Sequence, residues 1–488
     1  MKTIFHALLL LTLTLKLYAD PQLGSWLTAY SGQYARIYAT TGERSSGTSA
    51  ATWANQSVPA YADISQVLYS TNWVYVRAAD LPSYVTGPWL NPQGVPGQFS
   101  PTNQHILNRF PRSPLVASGT KTISGTGYSG LYVNGVAVFN FTDGKAWDGT
   151  AVVNGPHNQS TYFWHRNAPI GEGYNFDYAL GHQNPSGVYH THQQPIALRY
   201  QLGDHVDFNT STKFYSESTN AVTKHSPIVG WTYDGYPIYG PYGYSISNNA
   251  NSGIRRMVSG YIERNGQNGT DNLTNNLTTI PAWYARFRQA HFGGSYSTTA
   301  TTARASVGGT NGLGTFAEDY SYYGDLTNPS TSQPYVMGTN TFDLDVYNGR
   351  WCVTPEFPNG TYAYFLTLDS TLTNSAYPYA IAYEYYGNAT GGSVSSIAET
   401  VTTNFIGGAS SALAINSPAI TNSTVTLTWS ATEGGAYLVA VSGDLATWKT
   451  NASNIAAVLG TGTTNFTKVS TNQFFRVTRT ALANYDPD

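Results

Sequence analysis

Glycine, proline and asparagine punctuate this chain too often for long helices to form. It carries 48 Gly and 24 Pro in 488 residues, and between them lie short runs of Val, Tyr, Trp and Phe. Trp73-Val74-Tyr75-Val76-Arg77 is one such run. Two more, Leu131–Val133 and Val136–Phe139, are joined by Asn134-Gly135, a dipeptide suited to a tight hairpin turn. The pattern predicts a mainly β fold. One short helix is expected at Pro281–His291, with Pro281 in its first turn and Gly293 just past its end. Polar tracts at 251–279 and 295–314 predict long surface loops.

Composition narrows the functional classes. Charged residues make up 10% and aromatic residues 14%, which excludes a disordered chain. The formal net charge is −3 and no basic run occurs, so no nucleic-acid partner is expected. Cys352 is the sole cysteine; the chain has neither an internal disulfide nor a cysteine-based zinc site. Its place beside Trp351 in an apolar run predicts a buried, unreactive side chain.

The N-terminus reads as an export signal. Lys2 precedes an apolar stretch from Ile4 to Leu15, and Leu17-Tyr18-Ala19 leads to a cut after residue 19. The apolar run is shorter than the ~20 residues of a membrane span. A signal peptide over 1–19 therefore implies a secreted or extracytoplasmic protein, in the periplasm or at the outer surface. Its loss removes Lys2 and Lys16 and takes the net charge from −3 to −5. No transmembrane span is expected in the mature chain.

Small polar residues at Gly387–Ser393 and Gly407–Ser411 suggest a linker over 389–412. Beyond it, Thr424–Trp429 alternates so that Val425, Leu427 and Trp429 share one strand face. With Tyr437–Val441 and Phe474–Val477, this predicts a small antiparallel β-sandwich over 413–482. Residues 20–59 read as an N-terminal extension to a large central domain.

Seven of the 10 histidines fall between residues 157 and 225. In Val188–His192, read as a strand after the turn Asn184-Pro185-Ser186-Gly187, His190 and His192 project to one face. His182, before the turn, can fold back beside them. Three imidazoles in an exported protein suit zinc or copper. Asp177 or Asp234 is a candidate to complete the shell or orient a ring. A buried polar network with Tyr189 is the alternative. A second dense stretch runs from His225 to Tyr244: Ile228–Tyr233 reads as a buried strand, Asp234-Gly235 as a turn, and the rest as a rigid Pro/Tyr loop. His225 and Asp234 are candidate further members of the metal site.

No Gly-x-Ser-x-Gly elbow, His-Glu-x-x-His, phosphate loop or dinucleotide fingerprint occurs. Most of Glu318, Asp319, Asp343, Asp345 and Glu356 read as solvated turn residues, since the order of a calcium loop is absent; a glycosidase pair among them stays open, because sequence does not fix their separation.

At these residues the chain resembles the YHYH-domain family of secreted bacterial proteins. Tyr189-His190-Thr191-His192 occupies the name-giving motif, with Thr191 where the family has Tyr. Gly181-His182, Pro185-Ser186-Gly187, His225–Gly230 and Asp234–Pro241 add to the resemblance. So do Trp73–Arg77, Gly87-Pro88-Trp89, Asn348-Gly349-Arg350, Thr354–Tyr364 and Tyr377-Pro378-Tyr379. The resemblance covers 60–388 as one domain and implies no particular activity. Ala436–Arg479 is similar to sandwich modules that end many exported bacterial proteins, which implies attachment to a cell-surface component or polysaccharide.

The expectation is a transition-metal-binding protein using His182, His190 and His192, with His225 and Asp234 as possible additions; whether it is an enzyme is open. The alternatives are a non-catalytic cell-surface or glycan-binding protein and a metal-dependent hydrolase.

Overall fold

The computed structural model describes residues 20–339, 341–408, 413–431, 435–457, 461–468 and 473–481. Residues 1–19, the expected signal segment, lie outside the described residues. The fold is mainly β, built from several mostly antiparallel sheets with few helices.

Ile64–Tyr69 (β1), Trp73–Ala78 (β2) and Ile106–Pro111 (β3) form a meander. Its two edges are completed by Gly392–Ser393 on β3 and Thr402–Ile406 on β1. Two short pieces of the expected linker at 389–412 therefore pair as edge strands. Edge pairing uses main-chain groups, so a run of small polar residues serves as well as an apolar one. Residues 409–412 lie outside the described set. The 20–59 segment is also integrated: Trp26 joins the main core, and Gln22 Nε2 donates to the carbonyls of Pro111 and Gly235.

The second sheet has eight strands: Tyr128–Tyr132 (β4), Ala137–Phe139 (β5), His182–Gln183 (β6), Tyr189–Thr191 (β7), Ile228–Thr232 (β8), Pro237–Tyr239 (β9), Gly349–Cys352 (β10) and Thr361–Phe365 (β11). Their spatial order is β10-β11-β9-β8-β4-β5-β7-β6. The Asn134-Gly135 turn joins β4 to β5 as expected, with the Tyr132 N–H donating to the Val136 carbonyl at 2.8 Å. β8 and β11 are buried along their whole length. The expected Pro/Tyr loop is instead the buried strand β9. Pro237 sits at its first residue, where a missing N–H is tolerated. Cys352 is buried, as its apolar setting predicted.

Val67, Val74, Val76 and Phe110 from the first sheet share one core with Leu131, Val138, Trp231 and Tyr364 from the second. That common core fixes the sheet that carries the histidines. Three helices matter around it: Ala168–Glu172 (α1), Ile196–Gln201 (α2) and Ala282–Phe292 (α3). α3 is the expected helix, with Pro281 at its N-cap and Gly293 at its C-cap, and it buries Trp283, Tyr284 and Phe287 against Phe141 and Tyr383. The tract expected as a surface loop from 251 begins inside a strand, Asn249–Arg256.

At the C-terminal end, Ala419–Thr421 (β12), Thr424–Ser430 (β13), Ala436–Ser442 (β14), Lys449–Ala456 (β15), Thr461–Thr467 (β16) and Phe474–Ala481 (β17) make two three-stranded sheets, β12-β13-β16 and β15-β14-β17. Val425, Leu427 and Trp429 of one meet Tyr437, Val439 and Val477 of the other. The alternation read in β13 is the cause of that pairing.

Candidate metal centre

The turn Asn184–Gly187 reverses the chain so that β6 and β7 pair antiparallel. The Gly187 N–H donates to the Asn184 carbonyl, and the Asn184 side chain accepts from the N–H groups of Ser186 and Val188. The register sets His182 directly opposite His190. His192 lies two residues past His190 and just beyond the end of β7. On its other side β7 runs parallel to β5, with His190 beside Ala137. All three histidines are buried, at 5%, 3% and 2% exposure. One ring nitrogen from each lies within 4.8 Å of the other two.

Hydrogen bonds on the far side of two rings define which nitrogen faces inward. The His192 Nδ1–H donates to the Asn140 carbonyl at 2.6 Å, and the His190 Nδ1–H donates to the Val188 carbonyl at 3.1 Å. A carbonyl only accepts, so each Nδ1 carries its proton and each neutral ring presents a lone pair at Nε2. These two Nε2 atoms face each other 3.2 Å apart. Two lone pairs at that distance repel unless a cation or proton lies near both. His182 Nε2 is buried with no hydrogen-bond partner, and its Nδ1 lies 3.4 Å from the Asn175 side-chain amide.

Electrostatics keep the His182 and His190 rings uncharged. Burial, with the neighbouring His192 ring second, pushes His182 down to about 3. Burial likewise drives His190 well below the ordinary imidazole value, helped by His182 and His192. One carboxylate approaches: Glu172 Oε2, from the end of α1, is 3.4 Å from His192 Nε2 and 3.6 Å from His182 Nε2. Burial works against ionisation of Glu172. The hydrogen bond and charge interaction with His192, then His182 and Arg166, outweigh it and leave its carboxyl below the usual range.

An outer layer holds the donors. Phe139 stacks on His190 at 3.9 Å, and Phe176 meets His182 edge-on at 4.8 Å. The Asn140 side chain accepts from the Thr142 N–H and donates to the Ser124 carbonyl, which fixes the carbonyl that orients His192. Asp177 touches none of the three rings. Its carboxylate accepts from the N–H groups of Gly87, Ala179 and Gly181 and from the Tyr189 hydroxyl, and burial raises it to about 6. It shapes the turn before His182, in which Leu180 takes a left-handed φ of 68°.

The structure does not bring His225 or Asp234 to this cluster. The His225 Nδ1–H donates to the Ser226 carbonyl at 2.7 Å, and its ring packs on Tyr239 and Tyr244. Asp234 lies in the β8–β9 turn, where it accepts from the Thr232 and Tyr364 hydroxyls and the Gly387 N–H. β4 and β5 stand between β8 and β7, which accounts for the separation. Of the other clustered histidines, the buried His165 ring donates to Glu318 at 2.8 Å, and His157 is bonded to Ser124 and stacked on Tyr383. Thr191 points to the Tyr132 hydroxyl, so the departure from the family motif falls away from the imidazoles. Glu172 and Asn140 escaped the sequence reading. Glu172 could have been found as the acidic residue nearest before Asp177 and His182; Asn140 contributes through its main chain and leaves no sequence signal.

The sequence model of a family described as YHYH protein matches residues 108–378, more than half of the chain and including all three histidines. The chain belongs to that family. Residues 60–107 and 379–388 of the resemblance lie outside the match. No curated protein matches the chain, and no solved structure does. Among the described residues no helix is long and apolar enough to cross a membrane.

Proposed function

We propose that this YHYH protein is an exported metal-binding protein, holding one zinc or copper ion between the Nε2 atoms of His182, His190 and His192. The observation that carries the reading is the pair of Nε2 lone pairs 3.2 Å apart, each fixed from behind by a carbonyl. Donors at ~2.0–2.1 Å from a tetrahedral ion sit roughly 3.4 Å apart, which is this spacing. The distances from Glu172 Oε2 to two of the nitrogens match it as well. With Glu172 as fourth donor the shell is closed, and the ion ties α1 to β6 and β7. Export rests on the sequence of residues 1–19 and on the family resemblance.

The competing reading is a proton in place of the ion, with His192 as an imidazolium beside Glu172. Metal analysis of the full chain, alongside a His190→Ala, His192→Ala double variant, separates the two. Stoichiometric zinc or copper in the parent and none in the variant is the expected result. Equal, substoichiometric metal in both rejects the ion.

A further inference from the structure

A groove of about 870 Å³ runs beside the imidazole cluster. Pro169, Ile170 and Gly173 of the α1 segment form one wall. Phe176 touches both the groove and the His182 ring, so a single side chain stands between them. The size falls within the roughly 300–1,000 Å³ of ordinary small-molecule sites.

The opposite wall is aromatic. Tyr178 and Tyr215 stack 6.1 Å apart in near-parallel planes, and Phe214 is 49% exposed. The Arg44 guanidinium lies over Phe214, 4.7 Å from its ring centre. Three charged residues line the groove: Arg44, Asp177 and Glu217. Glu217 is neutralised by the buried Arg199 and accepts from the Tyr242 hydroxyl. The Asp177 carboxylate is taken up by three main-chain N–H groups and the Tyr189 hydroxyl. Arg44 differs: among the described residues no carboxylate pairs with it, and its Nε is buried without a hydrogen-bond partner. Ser216, Ser218, Thr373 and Asn374 supply hydroxyls and an amide along the rim.

A ligand complementary to this surface has apolar ring faces, many hydroxyls and one carboxylate placed for a planar guanidinium. We propose that the groove binds an oligosaccharide containing uronic acid, with one sugar carboxylate on Arg44 and its ring against the exposed Phe214. The stacking of Arg44 on Phe214 holds the guanidinium ready, so little side-chain freedom is lost on binding. The proposal rests on the groove and not on the metal.

Calorimetric titration of the full chain with trigalacturonate, neutral galactotriose and triglutamate tests it, before and after chelator treatment. Trigalacturonate is expected to saturate one site, at least about tenfold more tightly than galactotriose, equally with and without chelator. Arg44→Gln is expected to weaken it at least tenfold, and Phe214→Ala, at an exposed ring, gives a second variant if the first fails to fold. Equal binding of acidic and neutral sugars, no effect of either folded variant, tighter binding of triglutamate, or no saturable binding overturns the assignment. Loss of metal in the His190→Ala, His192→Ala protein leaves this outcome unaffected, so the two readings fail separately.

Discussion

Glu172 Oε2 stands 3.4 Å from His192 Nε2, across the gap between the end of α1 and the end of β7. The carboxylate is one quarter exposed, whereas the three imidazoles are sealed. Replacing it by Gln keeps its size and removes its charge. Glu172→Gln is expected to lower metal affinity at least about tenfold, with the metal-free protein still folded and melting in one transition. Competition with a chromophoric chelator measures the first and a thermal melt the second. Unchanged affinity would remove Glu172 from the donor set.

Acid should release the metal late. An ordinary imidazole loses its lone pair to a proton as the pH falls through about 6.5. His182 does so only near about 3, and His190 lies well below its usual value, because burial opposes both charges. A depressed value means that the donor form survives to lower pH. The metal should therefore stay bound through pH 6 and 5, as equilibrium dialysis across a pH series would show. Half-release near 6.5 would mean that the rings titrate as solvated groups.

Asp63 makes the opposite case. It is buried, its Oδ1 accepts from the Ser83 N–H at 2.8 Å, and its Oδ2 has no partner. Burial raises it from 3.8 to about 7, against the hydrogen bonds from Ser83. A group raised on folding adds stability below its unfolded value, and that contribution is lost as the pH rises through its folded value. Asp63→Asn keeps the acceptor, tolerates the φ of 64° at this position and cannot ionise. The variant should match the parent near pH 4 and gain on it by up to ~1.4 kcal/mol per pH unit towards pH 7. Urea unfolding at several pH values measures the difference; a constant offset would contradict the buried, partnerless oxygen.

Gly130 tests the centre of the sheet. A β-carbon there would overlap the Trp231 carbonyl oxygen of the paired strand β8, and neither backbone can retreat. Gly130→Ala is expected to cost more than about 4 kcal/mol and leave little folded protein. Gly173→Ala, with open space around it and a helical φ of −55°, is expected to change stability by less than about 0.5 kcal/mol. Circular dichroism of both variants suffices. A folded Gly130→Ala protein would mean that β4 and β8 can slide apart.

Local chemistry explains which parts of this arrangement were legible in sequence. The hairpin at Asn134-Gly135, the helix between Pro281 and Gly293 and the alternating face of β13 depend on neighbours within a few residues. The same holds for His182, His190 and His192, which meet through one short turn and a two-residue strand period. His225 and Asp234 failed because their distance from the cluster is set by strand order, which places β4 and β5 between. Sequence clustering of histidines carries no information about that order. Glu172 was missed because a carboxylate at a short helix terminus looks like a solvated one until its approach to His182 and His192 and the nearby charge of Arg166 are known. The supposed linker hid its edge strands for a related reason: the ladder reads main chain, and Gly392–Ser393 offers that as well as any apolar pair.

β6 is the outermost strand of the eight-stranded sheet and only two residues long. Such brevity gives a foreign chain little to zip onto, but it also leaves the rim weakly fastened. Because His182 sits opposite His190 across that last ladder, the proposed ion between them would act as a rivet, adding a lateral rung that amide groups cannot supply there. Stripping the rivet should let the rim fray and turn a quiet margin into one where molecules adhere to each other.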